Sequence, residues 1–235
     1  MGLNLTKNYS INFSLPKRQK KLIKFIIIHY TGMKNEISAI KKLTKSSSKV
    51  SSHYFIKNSG KVINMVPDLY EAWHAGKSSW GKYHLLNKYS IGIEINNPGH
   101  LHGYENFKFN QIVSLKKLLK FLIKKYNIQN RYILGHSDIA PARKKDPGEK
   151  FPWKVLAKNR LVYWHKLSEK NTKRFRNQKI GLNNEDTFIK NLNKIGYSKN
   201  NIKSSIKAFQ RRYRQALING KIDKECFLIS KNLLK

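Results

Sequence analysis

The sequence contains a single cysteine, Cys226, which excludes an internal disulfide framework and any thiolate-rich metal site. It lies in an apolar stretch near the C-terminus and reads as a buried, inert thiol. Acidic residues are also scarce: thirteen Asp and Glu stand against 48 Lys and Arg, a formal charge of +35. Such an excess attracts polyanions. It is spread along the whole chain, however, mostly as lysine among asparagine and isoleucine, and reads as a composition bias rather than a binding stripe. Neither a helix-turn-helix nor an aromatic β platform accompanies it, so no specific nucleic-acid partner is expected. No apolar run approaches the roughly 20 residues of a membrane span. Residues 1–24 lack the apolar centre of a signal peptide and hold no cysteine for a lipid anchor. A cytoplasmic location is therefore expected, and an envelope or periplasmic one would need an export route not visible in this sequence.

What is present is the material of a folded protein: 40% hydrophobic and 11% aromatic residues. With 235 residues there is room for one medium domain with a real core plus a small second module. Phe25-Ile26-Ile27-Ile28 is apolar on both faces and reads as a central strand ending at His29. Residues 36–45 carry a weak helical pattern through Ile37, Ile40 and Leu43. Residues 53–57 and 61–66 flank Asn58-Ser59-Gly60, a hairpin signal. Along residues 90–96, Ile91, Ile93 and Ile95 point one way while Gly92, Glu94 and Asn96 point the other. Residues 111–126 give the clearest helix, leading to a strand over 131–135 and then to His136. Strands and helices alternate with one hairpin and at least one crossover, so the fold class is α/β, a mixed central sheet flanked by helices.

Histidines and carboxylates at strand ends carry the chemistry. His29 and His136 each close a strand, where residues of such a sheet emerge into a cleft. Taken alone, either is more often a hydrogen-bonded structural residue. Asp146 follows His136 by ten residues, in a Pro- and Gly-rich stretch able to fold back toward the strand end. Two imidazoles and one carboxylate, with a fourth position for water, form the ligand set of a catalytic zinc. Amide hydrolysis there needs a base and an acid, and Glu94 is the candidate. Its bland reading is a solvated glutamate on an edge strand. Lys144, two residues from Asp146, is placed to stabilise an oxyanion.

Five segments occur in order: Ile26-Ile27-Ile28-His29-Tyr30-Thr31, Val50-Ser51-Ser52-His53-Tyr54, Ala72-Trp73-His74-Ala75-Gly76, Ser90-Ile91-Gly92-Ile93-Glu94-Ile95 and Gly135-His136-Ser137-Asp138-Ile139-Ala140-Pro141. With Arg143-Lys144-Lys145-Asp146-Pro147-Gly148 and Phe151-Pro152-Trp153, they resemble the AmpD/AmiD-type zinc amidases. This is the second N-acetylmuramoyl-L-alanine amidase family, related in fold to peptidoglycan recognition proteins. The resemblance covers roughly residues 10–160. It implies one Zn²⁺ per chain on His29, His136 and Asp146, with Glu94 as catalytic acid/base and Lys144 stabilising the transition state. All five positions carry the implied residue type, which argues against the alternative of a non-catalytic peptidoglycan receptor. By the same resemblance His53 is structural, while His74, Trp73, Trp80, Asn97 and Arg143 are candidates for substrate binding. His84, His100, His102 and His165 are left as solvent or loop residues.

Residues 161–179 turn polar and basic and read as a linker between a catalytic domain over 1–160 and a three-helix module over 180–235. The module's helices are expected over 185–195, 200–213 and 223–234, with Gly196 and Gly220 as stops. Its Ala208-Phe209-Gln210 helix, followed by Asn219-Gly220-Lys221-Ile222-Asp223, resembles a peptidoglycan-binding module. The implied substrate is peptidoglycan or its muropeptide fragments, cut between N-acetylmuramic acid and L-alanine by a monomer. The module points to polymer and the missing export signal to recycled fragments, including the 1,6-anhydro form.

Overall fold

A strand that is isoleucine on both sides needs a cover on both sides, and in the computed structural model, which describes residues 5–235, Phe25–Tyr30 has one. In chain order the strands are β1 (Leu5–Lys7), β2 (Phe13–Ser14), β3 (Phe25–Tyr30), β4 (Tyr54–Ile56) and β5 (Val62–Asn64). They continue with β6 (Glu71–Ala72), β7 (Ser79–Trp80), β8 (Tyr83–His84), β9 (Ser90–Ile95) and β10 (Ile133–Gly135). Six form one mixed sheet in the order β1-β5-β4-β9-β3-β10. Strands β4, β9, β3 and β10 are mutually parallel, β5 returns antiparallel to β4 as the expected hairpin, and β1 runs parallel to β5. The pairs β2–β6 and β7–β8 are small ribbons outside it.

The helices are α1 (Glu36–Thr44), α2 (Phe109–Tyr126), α3 (His136–Ile139), α4 (Trp153–Lys158), α5 (Glu169–Lys173), α6 (Leu182–Ile195), α7 (Ile202–Tyr213) and α8 (Lys224–Asn232). On one face of the sheet Ile26, Ile28, Ile91, Ile93 and Ile95 pack against the leucine stripe of α2. On the other, Phe25, Ile27 and Leu134 pack against Phe188, Leu192, Phe209 and Ile229 of the last three helices. Each such buried side chain stabilises the fold by about 1.5–3 kcal/mol. The three C-terminal helices therefore cover the second face of the central sheet. Asp223 caps α8 by accepting from the Cys226 amide, and Cys226 itself is fully buried.

The stretch over 161–179 is polar in composition, yet Leu161 and Val162 are buried in the core beneath α2 and α4, and α5 forms within it. A few apolar anchors hold it along the body. Residues 1–4 of the expected catalytic domain lie outside the described residues. Among the described residues no helix is long and apolar enough to cross a membrane.

Candidate metal centre

Strand register brings the chemistry together. In the β3–β9 ladder His29 lies beside Glu94, and in the β3–β10 ladder Ile28 lies beside Gly135, so His136 comes level with His29. Asp146 returns on the loop after α3, where the Ser137 amide donates to the Asp146 carbonyl at 2.8 Å. His29 Nδ1 is 2.9 Å from His136 Nδ1 and 3.0 Å from Asp146 Oδ2, and His136 Nδ1 is 3.1 Å from that oxygen. All three side chains are buried. The structure thus gathers the three expected ligands with their donor atoms facing one another.

Proton accounting shows what these atoms present. The Ser90 hydroxyl donates to the Leu86 carbonyl at 2.6 Å, so toward His74 Nε2, at 3.2 Å, its oxygen accepts. Burial, then the neighbouring imidazoles, hold His74 neutral, so with its proton on Nε2 its Nδ1 is a lone pair. That lone pair accepts from His29 Nε2 at 3.0 Å. Burial, then His136, pushes the His29 pKa down to about 4, and its single proton is on Nε2; Nδ1 is therefore a lone pair as well. His136 Nε2 is 3.1 Å from the Ala75 carbonyl, which can only accept, leaving its Nδ1 a lone pair when the ring is neutral. Asp146 presents one carboxylate oxygen, Oδ2, to both Nδ1 atoms. Two imidazole lone pairs and a carboxylate oxygen, about 3 Å apart, repel one another unless a cation lies among them. The donor set is that of a catalytic zinc, and the residues fit it.

Glu94 stands next to this group on a strand paired on both sides, which excludes the edge-strand reading. Its Oε2 is buried without a hydrogen-bond partner among the described residues. Burial first, and then the charge of Asp146, raise its pKa well above the usual carboxylate range, with Lys144 opposing. These groups open on a cleft of about 410 Å³ bordered also by Lys144, Trp73 and Arg143. Trp73 donates its Nε1 to Ser14 Oγ at 2.8 Å, and Arg143 donates to the Lys77 and Ala75 carbonyls, so both are held at the rim.

Other expected site residues are placed differently. His74 borders the cleft, but both its nitrogens are engaged beneath His29. Trp80 lies outside the lining: it is buried with its ring 4.8 Å from that of Tyr197. Asn97 is buried too, accepting from the Gly99 amide at 3.0 Å and donating to the Glu105 carbonyl at 2.9 Å. It shapes the loop that brings His100 and Leu101 to the cleft wall, a role residue spacing did not signal. His165, expected in solvent, is buried beside Trp164. His53 is structural: its Nδ1 accepts from the Gly92 amide at 2.9 Å.

A methyl at Gly92 would overlap the His74 ring, which hydrogen bonds on both nitrogens prevent from moving aside. Gly92→Ala is expected to cost about 1–3 kcal/mol of stability by overpacking. Thermal unfolding of the purified variant checks this, and an unchanged midpoint would refute the packing argument.

The profile of the N-acetylmuramoyl-L-alanine amidases matches residues 18–149, a stretch that holds all three donors, Glu94 and Lys144. The chain belongs to this family. The amidase is 32% identical over 231 residues to N-acetylmuramoyl-L-alanine amidase AmiD of Escherichia coli, covering 91% of this chain and 83% of that protein. The solved complex of the E. coli AmiD with anhydro-N-acetylmuramic acid-L-Ala-D-gamma-Glu-L-Lys superposes with a TM-score of 0.80 at 31% identity. It covers 94% of this chain and 91% of that one. AmpDh3 of Pseudomonas aeruginosa gives a TM-score of 0.78 at 28% identity, covering 94% and 93%. The amidase is thus a hydrolase of the bond between N-acetylmuramic acid and L-alanine, on a fold that AmiD and AmpDh3 share over 94% of this chain.

Proposed function

We propose that this amidase works with one zinc ion held by His29, His136 and Asp146, with Glu94 as acid/base and Lys144 as the cation for the oxyanion. The convergence of three lone pairs beside the buried Oε2 of Glu94, which has no partner among the described residues, carries this reading. Zinc bound there supplies a Lewis acid that polarises the scissile carbonyl and acidifies an attacking water. Glu94 takes that water's proton on its free carboxylate oxygen and returns it to the L-alanine nitrogen as the C–N bond breaks. Lys144 offsets the charge that grows on the former carbonyl oxygen. The buried walls around His29 and Glu94 keep other water away from the reacting atoms. All these groups belong to one chain, so a monomer suffices.

The substrate is a peptidoglycan-derived muropeptide. The ligand named in the AmiD complex, with its 1,6-anhydro sugar and three-residue stem, is the first to test. Residues 1–160 act as the catalytic part, 161–179 as the strap, and 180–235 as helices that also meet the wall.

The test pairs elemental analysis with peptide release from anhydro and reducing-end muropeptides. One zinc per chain is expected, with release lost on chelation and restored by zinc. Folded protein that binds the muropeptide but neither holds zinc nor cuts would overturn this reading in favour of a receptor.

A further inference from the structure

Asp138 is a carboxylate only 1% exposed, and besides a neighbouring amide its partners are two side chains of the C-terminal helices' region. Oδ2 accepts from the Gly135 amide and from Arg212 Nη1, each at 2.8 Å, and Oδ1 accepts from the Tyr197 hydroxyl at 2.8 Å. Arg212, itself 2% exposed, also donates Nη2 to the Ile133 carbonyl on β10 at 3.0 Å and lies 4.2 Å over the Trp153 ring. Tyr197 follows Gly196, where α6 stops. There the Gly81 amide donates to the Gly196 carbonyl at 2.9 Å, and any side chain would strike Trp80. One residue of α7 and one just after α6 thus converge on the middle of α3. That helix has four residues, begins with the donor His136, and through the Ser137 amide holds the Asp146 backbone.

A module that only anchors the enzyme to its polymer needs no such junction. Burying a guanidinium and a carboxylate costs desolvation, and well-packed apolar residues are often as stabilising or more so. Stability is therefore a weak reason for the pair, and orientation a better one. An aspartate fastened on both oxygens leaves α3 little freedom, and His136 and Asp146 move with it.

We propose that the C-terminal helices serve the catalytic centre directly. Arg212 and Tyr197 are positioning residues that, through Asp138, hold α3 and so set His136 and Asp146 for the metal. This rests on the zinc reading above. Even a soluble muropeptide, too small to need anchorage, depends on these two residues.

The experiment uses the full chain as wild type, Tyr197→Phe, Arg212→Met and Phe188→Leu. Phe188 is buried among the same helices, 5.3 Å from Phe209 by ring centroids, and serves as the packing control. Zinc affinity is read by competition with a chelator, geometry from the visible spectrum of the cobalt-substituted protein, and kcat and KM on a soluble muropeptide. Thermal midpoints are recorded for all four.

Tyr197→Phe and Arg212→Met are expected to bind zinc about 10-fold more weakly, the lower end of what outer-shell partners are worth. Their cobalt spectra shift and kcat falls while KM holds. Phe188→Leu lowers the midpoint with zinc affinity and spectrum at wild-type values. Tyr197→Phe removes one hydroxyl, so the question stays open to test even if Arg212→Met fails to fold. Clamp variants that keep wild-type affinity and spectrum overturn the proposal, as does a Phe188→Leu protein that loses zinc to the same extent. A wild type without zinc overturns the metal reading and this inference with it.

Discussion

Glu94→Gln protein keeps its zinc and hydrolyses muropeptide about 10³-fold more slowly than wild type, the middle of the range for losing a positioned acid/base. The separation of the two properties follows from the geometry. Glu94 is adjacent to His29 by strand register, yet among the described residues the converging donor atoms belong to His29, His136 and Asp146. Glutamine occupies the same volume and keeps the cleft's shape. What it lacks is the ability to accept a proton. Burial and the charge of Asp146 raise the proton affinity of Glu94, and Lys144 opposes the rise without cancelling it. A carboxylate so poised can take a proton from water and give it back to a departing nitrogen, which an ordinary surface glutamate does poorly. KM should change little, because the amide side chain still fills the space. Metal analysis and steady-state kinetics on the same preparation decide the matter. A variant that loses zinc would make Glu94 a ligand or a support, and one that keeps full activity would remove it from the reaction.

The row of active groups was legible because it depends on local pattern. An all-apolar run ending in His29, an isoleucine alternation with Glu94 on its other face, and a strand running into His136 each place a side chain at the end of a strand. Parallel pairing then aligns those ends without further instruction. What the residues did not reveal depends on partners far away in the chain. Trp80, among glycine and serine, was a candidate for substrate binding, but Tyr197 packs edge-on against it more than a hundred residues later. His74 looked like a groove residue because nothing local announces that Ser90 and His29 take both its nitrogens. Asp138 stood only as one residue of the segment over 135–141: its Oδ2 accepts from the nearby Gly135 amide, but nothing local announces that its Oδ1 accepts from Tyr197. The 161–179 stretch read as a linker because its charges are interspersed with the few apolar residues, Leu161, Val162, Tyr163, Trp164 and Leu167, that hold it down.

Removing a donor has the other large effect. His136→Ala protein is expected to bind zinc more than about 100-fold more weakly, since even an outer-shell partner is worth 10–100-fold. Activity falls with it at any zinc concentration that leaves the site unfilled. The variant should still fold. The position begins α3, but the Gly135 amide, Tyr197 and Arg212 all hold that helix through Asp138, and none of them touches the imidazole to do so. Thermal unfolding therefore separates loss of metal from loss of structure. Zinc at about 100 times its dissociation constant stabilises the wild type by roughly 2.7 kcal/mol, because it binds the folded chain alone. For a protein of this size that raises the midpoint by roughly 5–10 °C. His136→Ala should melt near the zinc-free wild type and gain nothing from added zinc. A variant that still gains the full increment would mean the ion is held by other groups, and the assignment of His136 would fall with it. If instead the zinc-free variant melts far below the zinc-free wild type, His136 is there for the fold, through its hydrogen bond to Ala75, before it is there for the metal.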